Sequence, residues 1–229
     1  MAEENSKPHY LGHRERLRAR FLKDSGKSFS DYELVELLLF MAQPRGDVKP
    51  LAKSLMKHFG TFAALVAADA EEIRKLSGAK DATVTALKVV QAAALRMSQI
   101  DLLGKPAISS WQQLLDYCHA AMAHEKREHF RVLYLDRKNV LIVDEVQATG
   151  TIDHTPVYPR EVVKRALELG ASALILVHNH PSGDPSPSGG DVEMTTEIRE
   201  AAVRLGISLH DHLIIGRKGH ASFKSLGLL

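Results

Sequence analysis

Residues 173–191 read ALILVHNHPSGDPSPSGGD, and this stretch decides the fold of the second half of the chain. The run ALILV is a short, continuous apolar segment of the kind found in buried strands, and Pro181 prevents the strand from continuing. A loop rich in Pro, Gly and Ser follows, and a helical pattern begins near Asp191. The stretch therefore predicts a strand, a loop that can fold back, and a helix.

Two histidines stand at the end of the predicted strand, at i and i+2. Because alternate residues of a strand point to one face, His178 and His180 can direct two imidazoles at one point. Asp191 follows eleven residues after His180, and the loop can return it to the same place. Two histidines, one carboxylate and an open fourth position form the pattern of a catalytic zinc site.

Asp191 has a second interpretation that needs no metal. Ser188 and Asp191 form an S-x-x-D pattern, which resembles a capping box at the start of a helix. An acidic residue there is stabilised by the helix dipole. Taken alone, Asp191 favours the cap. The combination with two convergent histidines favours the metal, since buried imidazoles without partners cost free energy.

Outward from this stretch, the periodicity predicts four regions. Residues 1–29 form a basic, partly ordered arm, 30–98 a helical domain, 99–106 a linker, and 107–229 a metal-binding domain. In the last of these, HFRVLYLD and VLIVDEV are strands joined by the turn RKN, so they must pair antiparallel. Together with ALILV and two later strands, they predict a chain of the α/β (α+β) class: an all-helical N-terminal domain followed by a mixed sheet with flanking helices.

Composition excludes several classes of protein. With 45% hydrophobic and 25% charged residues, the 229-residue chain has the balance of a soluble globular protein. Its single cysteine, Cys118, rules out an intramolecular disulfide and a multi-cysteine zinc site. No apolar run is long enough to cross a bilayer, so we expect a cytoplasmic protein with no membrane partner.

The helical domain contains a predicted helical hairpin. Its turn is SGAK at 77–80, with helical patterns on both sides. Such a hairpin can present backbone N–H groups to a nucleic-acid phosphate, or can be structural only. The net charge of +2 is too small to decide for nucleic acid.

A hydrolytic zinc site also needs a proton acceptor. Glu145 is a candidate because a carboxylate in an apolar strand is costly without a role or a partner, and Asp144 is its rival, since adjacent strand residues face opposite ways. A second i, i+2 pair, His210 and His212, lies inside a later strand with no acidic residue in ligand position. We expect these two to be packed residues or to support the ligands.

The chain from VLYLDRKNVLIVDEV through GTIDHTPVYPREVVKRALELGASALILVHNHPSGDPSPSGGDVEMT to LHDHLIIG closely resembles the RadC family, whose C-terminal part is a JAB/MPN metalloprotease-like domain. The resemblance implies that His178, His180 and Asp191 bind one zinc ion. It also implies that Glu145 is the general acid/base and that Ser188 donates a hydrogen bond to the developing oxyanion. The N-terminal part is similar to the family's helix-hairpin-helix-like region, although Lys80 stands where a second glycine is expected.

Two functions from different classes follow. The first is a zinc-dependent hydrolase of amide bonds, peptide or isopeptide, acting on a protein or peptide substrate. The second is a DNA-associated accessory protein of repair or recombination, whose helical domain contacts DNA and whose metal domain is structural or regulatory. A metal-dependent nuclease fits less well, because one acidic ligand differs from the usual two-metal carboxylate clusters.

Overall fold

A computed structural model describes residues 12–102, 104–107, 109–150 and 157–229. In chain order its elements are α1 (His13–Asp24), α2 (Asp31–Ala42), α3 (Lys49–Phe59), α4 (Phe62–Ala67), α5 (Ala70–Arg74), α6 (Asp81–Leu102), α7 (Trp111–Met122), β1 (His129–Leu135), β2 (Leu141–Thr149), α8 (Pro159–Glu168), β3 (Ala173–Asn179), α9 (Gly189–Val203), β4 (Ser208–Gly216) and β5 (Gly219–Ser222). The chain forms two compact units, which divide between Ala92 and Ala93.

Unit 1 is helical throughout its described part and has its own core, which includes Leu39, Leu55 and Leu65. The predicted start of α2 is confirmed: the Ser30 side chain accepts from the Glu33 backbone N–H, and the Glu33 side chain accepts from the Ser30 N–H. This capping box satisfies two of the N–H groups that a helix leaves unpaired at its start.

The segment predicted as a partly ordered arm forms a packed helix where the structure describes it. Leu17 of α1 is buried in the unit 1 core. The Arg14 guanidinium donates to the carbonyl oxygens of Gln43 at 3.0 Å and of Pro44 and Gly46 at 2.7 Å each. These contacts, together with those of His13 to Glu36 and of Arg20 to Glu33, pack α1 against the rest of unit 1, which the basic composition of the arm did not indicate. Residues 1–11 lie outside the described part.

The predicted linker also begins later than expected. We placed its start at residue 99, but α6 continues to Leu102, which is buried in a unit 2 core. The sequence from 98 to 102 is SQIDL, with no Gly or Pro to end a helix before Gly104.

Unit 2 is built on a five-stranded sheet with the order β2-β1-β3-β4-β5. β3 and β4 are parallel, and the other neighbouring pairs are antiparallel, so the predicted mixed sheet is confirmed. On one face, Ile175 and Val177 of β3 share a core with α7. On the other, Leu174 and Leu176 share a core with α8 and α9. Strand alternation therefore directs His178 to the face covered by α8 and α9.

No helix in the described ranges combines the length and the apolar character needed to cross a membrane.

Candidate metal centre

His178 and His180 come from the end of β3 and meet on one face of the sheet. The His178 side chain is fully buried, whereas 18% of the His180 side chain is exposed. The His180 backbone N–H donates to the Ile215 carbonyl at 3.1 Å, so pairing with β4 continues to this residue. The Nε2 atoms of the two histidines lie 3.0 Å apart, as the i, i+2 spacing predicted.

The loop after His180 folds back because it packs directly on the end of β4. A Cβ on Gly216 would lie 2.5 Å from the Gly183 carbonyl oxygen and 2.9 Å from Cδ of Pro185, so only glycine leaves room for the loop. The Arg217 N–H donates to the same Gly183 oxygen at 3.2 Å. These contacts return the chain to the start of α9 and bring Asp191 towards the histidines.

Asp191 occupies the third position of α9 and has both of the roles that the sequence left open. Its Oδ2 accepts from the Ser188 N–H at 2.7 Å and from the Ser188 hydroxyl at 2.6 Å, and its own N–H donates to Ser188 Oγ at 3.2 Å. Its Oδ1 lies 3.2 Å from Nε2 of His178, and its Oδ2 lies 3.4 Å from Nε2 of His180. The cap therefore orients the carboxylate towards the two rings.

These three residues, His178, His180 and Asp191, form what we name the metal triad. They are a group of possible ligands whose donor atoms lie within 4.8 Å of one another. Tetrahedral zinc with bonds of about 2.0–2.1 Å holds its ligand atoms about 3.3 Å apart. The separations of 3.0, 3.2 and 3.4 Å agree with that value. The residues present therefore fit a small divalent cation with nitrogen and oxygen ligands.

Hydrogen bonds outside the triad fix the tautomer of His180. Its Nδ1 lies 2.8 Å from the carbonyl oxygen of Asp184. A carbonyl only accepts, so Nδ1 carries the hydrogen and donates it. In a neutral imidazole this leaves the lone pair on Nε2, the atom that faces the triad.

A chain of hydrogen bonds fixes the tautomer of His178 in the same way. The Thr195 hydroxyl donates to the Asp191 carbonyl, so its oxygen accepts from Nδ1 of His212 at 2.6 Å. His212 is then left with a lone pair on Nε2, which accepts from Nδ1 of His178 at 2.8 Å. The lone pair of His178 is thereby placed on Nε2, towards the triad. Supporting contacts of this kind are usual behind metal-binding histidines.

The electrostatics of the triad favour a positive charge at its centre. Burial alone would raise the pKa of Asp191, but the adjacent rings of His178 and His180 lower that pKa well below the usual range. The pKa of His180 is raised, chiefly by the adjacent Asp191 carboxylate. Burial lowers the pKa of His212 well below its usual value, which keeps that ring neutral. A pocket that stabilises an anion beside two ring nitrogens is also suited to a divalent cation.

Glu145 lies on the sheet face of the triad but has a different partner. Its carboxylate accepts from Nε of Arg165 at 2.9 and 3.2 Å and from Nη2 at 2.6 Å. This pairing lowers the pKa of Glu145. Asp144 faces the opposite way, where it accepts from Arg131 and Tyr117. The expectation that only one of the two carboxylates can face the ligands agrees with this arrangement.

The sheet register sets the distance between Glu145 and the triad. Val132 of β1 pairs with both Glu145 and Leu176, so Glu145 is two strands away from β3 and two residues short of His178. At ordinary strand spacings this separates the Cα atoms of Glu145 and His178 by about 12 Å. Among the described residues, no hydrogen bond or ion pair joins Glu145 to the triad, so any proton transfer between them needs a water or a substrate atom.

Ser188 lies beside the triad, and its hydroxyl is hydrogen-bonded to Asp191. Its hydroxyl donates to Oδ2 of that residue, and its oxygen also accepts from the Asp191 N–H. Ser188 is exposed, so a substrate can reach it. For Ser188 to stabilise an oxyanion, its hydroxyl hydrogen must turn from Asp191 to the substrate.

Sequence reasoning missed two contributors to the site. Arg165, which holds Glu145, lies in α8 and carried no motif. Thr195 lies four residues after Asp191, and this spacing places both on one face of α9, a signal that could have identified it.

Comparison with known proteins agrees with this architecture. A family model described as a RadC-like JAB domain matches residues 108–228. A UPF0758 protein of Rhodobacter capsulatus is 59% identical over 213 residues, which are 93% of this chain and all of the relative. A UPF0758 protein of Ruegeria pomeroyi is 56% identical over 223 residues, which are 97% of this chain and all of that relative. The chain therefore belongs to the RadC family, with a RadC-like JAB domain as its C-terminal part.

Proposed function

We propose that the protein is a zinc-dependent hydrolase of amide bonds, peptide or isopeptide, with one zinc ion per chain. The observation that carries this proposal is the convergence of His178, His180 and Asp191, whose facing atoms have the spacing of tetrahedral zinc ligands. With three protein ligands, a fourth position stays open for water or substrate, which distinguishes catalytic from structural zinc sites.

The three proposed ligands differ in how exposed their side chains are. His178 forms the buried side of the site, and His180 and Asp191 keep a partly exposed edge, with 18% and 11% of their side chains accessible. A zinc ion held there would polarise a substrate carbonyl and acidify a water molecule at neutral pH. The hydrogen bonds behind the rings hold both Nε2 lone pairs in position for this task.

We assign proton transfer to Glu145. Its lowered pKa keeps the carboxylate ionised at neutral pH, as a proton acceptor must be. In amide hydrolysis it would take a proton from the attacking water and return it to the leaving amine. The Arg165 guanidinium holds this carboxylate on the triad face of the sheet.

We assign oxyanion stabilisation to Ser188. Its hydroxyl would donate to the carbonyl oxygen of the substrate as negative charge develops there. The Ser188 backbone N–H would go on donating to Asp191, which keeps the ligand oriented while the hydroxyl turns.

The test is hydrolysis of a defined mixture of end-capped peptides by the purified full-length chain, stripped with chelator, reloaded with one equivalent of zinc and followed by mass spectrometry. Cleavage by the zinc-loaded protein and none by the stripped protein is the expected result. The Glu145→Gln variant should keep its zinc and lose about 100-fold or more in rate, because general acid/base catalysis contributes roughly that much.

Two results would contradict the proposal. Cleavage that survives chelation, or in Asp191→Asn protein shown to lack zinc, would mean that the triad is not the catalytic centre. A zinc-loaded wild-type protein that cleaves neither capped peptides nor an isopeptide-linked lysine pair would remove the hydrolase assignment.

As a second function we propose that unit 1 contacts DNA, on the strength of the basic helix α1. Arg16, Arg18 and Lys23 of this helix are exposed. The hairpin turn is a weaker candidate, because Asp81 begins α6 and pairs with Arg74 at 3.1 Å, which places a carboxylate where a phosphate would approach.

A salt series tests this second function on the full-length chain. Affinity for a labelled duplex, read by fluorescence anisotropy, should fall steeply as salt rises, and Arg18→Ala should reduce the slope of log K against log salt by about one. Lys218→Ala, which removes an exposed basic side chain from unit 2, is the matched control. A flat salt response, or equal slopes for the two variants, would contradict DNA contact through α1.

A further inference from the structure

A shallow cavity, largely open to solvent, lies beside the metal triad at the start of α9. Its volume is about 370 Å³, at the low end of the range for ligand pockets. Its lining residues share an uncharged character: Pro187, Ser188, Gly189, Val192, Leu226 and Leu228. Leu226 and Leu228 are 54% and 38% exposed. Large apolar side chains that are exposed side by side can mark a binding site.

The cavity and the proposed reaction centre have Ser188 as a common neighbour. This residue lines the cavity and donates to Asp191 of the triad at 2.6 Å. A substrate whose carbonyl oxygen approached the Ser188 hydroxyl would therefore place its neighbouring atoms at the cavity mouth.

The cavity and Glu145 lie on opposite sides of the triad. Glu145 is on β2, at one edge of the sheet, whereas Leu226 and Leu228 follow β5, at the other edge. The histidines of the triad come from β3, between these edges. A substrate that spans the triad therefore has one side towards Glu145 and the other towards the cavity.

Amide hydrolysis gives these two sides different chemistry. The C–N bond breaks, the water oxygen forms the new C–O bond, and the nitrogen gains a proton, so the products are a carboxylic acid and an amine. The leaving nitrogen belongs on the side of the group that protonates it, Glu145. The acyl part, which keeps the carbonyl that Ser188 would polarise, then belongs on the side of the cavity.

We propose that this cavity is the acyl subsite and that it takes the apolar side chain of the residue that supplies the scissile carbonyl. The inference rests on the proposed hydrolase function and adds a substrate preference to it. An aliphatic side chain buries apolar surface against Leu226 and Leu228, whereas a charged one would lose its hydration without gaining a partner.

The experiment measures binding, which does not depend on catalysis. The probes are N-acetyl-leucine, N-acetylglycine and N-acetyl-aspartate, which carry the carboxylate that an acyl product would have. Each is titrated by calorimetry into the zinc-loaded full-length chain. We expect N-acetyl-leucine to bind at least about 10-fold more tightly than N-acetylglycine, since a single methylene group in an apolar pocket can give that much. N-acetyl-aspartate should bind no better than N-acetylglycine.

Matched variants locate the preference. Leu226→Ser and Leu228→Ser should each reduce the advantage of N-acetyl-leucine and leave N-acetylglycine binding unchanged. Leu205→Ser is the control, since Leu205 is also 54% exposed in unit 2 but does not line the cavity. All three changes are at exposed positions, so thermal unfolding should differ little between them.

Several outcomes would overturn the subsite: no preference for N-acetyl-leucine, no binding of any probe, a preference that survives both serine variants, or a preference that is the same in zinc-free protein. A zinc-dependent preference in a protein that cleaves no peptide would instead sustain the subsite and count against the hydrolase, so the two failures are distinguishable.

Discussion

Two pairs of histidines share the i, i+2 spacing, but only the first pair converges beside a carboxylate. His178 and His180 end β3, and their Nε2 atoms meet 3.0 Å apart beside Asp191. His210 and His212 lie in β4, where the pairing with β3 passes from Leu209 to Asp211 and leaves His210 as the extra residue of a bulge. His210 consequently contacts Asn139, and His212 is buried behind His178.

The i, i+2 spacing therefore permits two side chains to converge, and the surroundings of the pair decide whether they do. The first pair stands where a strand ends and a loop returns a carboxylate to it. The second pair is inside a sheet, where a bulge breaks the alternation that the spacing assumes. The two pairs are nevertheless connected, because His212 sets the tautomer of His178.

The largest expected effect comes from breaking the first pair. His178→Ala and His180→Ala each remove one of the three proposed ligands and should lower zinc affinity by more than about 100-fold, beyond the loss typical of supporting residues. His210→Ala, from the second pair, should retain one equivalent. Metal content after dialysis, measured by atomic emission, checks all three. Equal zinc content in the three proteins would show that the first pair of histidines does not bind zinc.

The connection between the pairs is tested by a smaller change. Thr195→Val removes the hydroxyl that accepts from Nδ1 of His212, so the buried ring loses its orienting partner. Zinc affinity should fall by about 10- to 100-fold. Thr196→Val is the control, since the Thr196 hydroxyl also donates to the carbonyl four residues back, at 2.8 Å, without touching a histidine. Competition with a chelating dye measures both, and equal affinities would contradict the tautomer relay.

A third change affects the loop after His180, which returns the chain to the first pair of histidines. Gly216→Ala would push a methyl group against the Gly183 carbonyl and Pro185. We expect a loss of unfolding free energy on the order of 2 kcal/mol or more, because the methyl meets a backbone oxygen and the loop must shift to accommodate it. Gly219→Ala, where a Cβ meets no atom within 4 Å, is the control in the same turn region. Urea unfolding of the pair measures the difference, and equal midpoints would mean that the loop gives way without cost.

The sequence predicted those parts of the fold that local patterns specify. Three features depend on neighbours within a few residues: the strands β1 and β2, the cap of α2, and the histidines of β3. Their alternation or capping signals can therefore be read from a single segment of the sequence. The packing of α1 depends on Arg14 reaching carbonyls about thirty residues away, and a basic composition carries no sign of that contact.

The site divides in the same way. Asp191 could be read as cap or ligand because both roles use one carboxylate at a helix start, and only the three-dimensional return of the loop brings it to the rings. The bulge at His210 and the partner of Glu145 arise from contacts between distant segments, which no spacing in the chain encodes.

The smallest expected effect tests Arg165, the partner of Glu145 that the sequence did not predict. Arg165 lowers the pKa of Glu145 from the ordinary value of 4.5, so their pairing adds stability that is fully present above about pH 4.5 and is lost as the pH falls through the lowered pKa. Arg165→Met should therefore lower the urea midpoint slightly at pH 7, as expected for a partly exposed pair, and by less as the pH falls through the lowered pKa of Glu145. The same change also removes the pairing of Arg165 with Glu168 at 3.1 Å. Arg160→Met is the control in the same helix: its 81% exposed side chain pairs with Glu161 at 3.2 Å, and because that pair is more exposed the pH dependence should be smaller. Urea unfolding across this pH range measures both. A difference between wild type and Arg165→Met that persists unchanged at pH 2 would mean that Arg165 acts by packing, and that Glu145 owes neither its charge state nor its position to this pair.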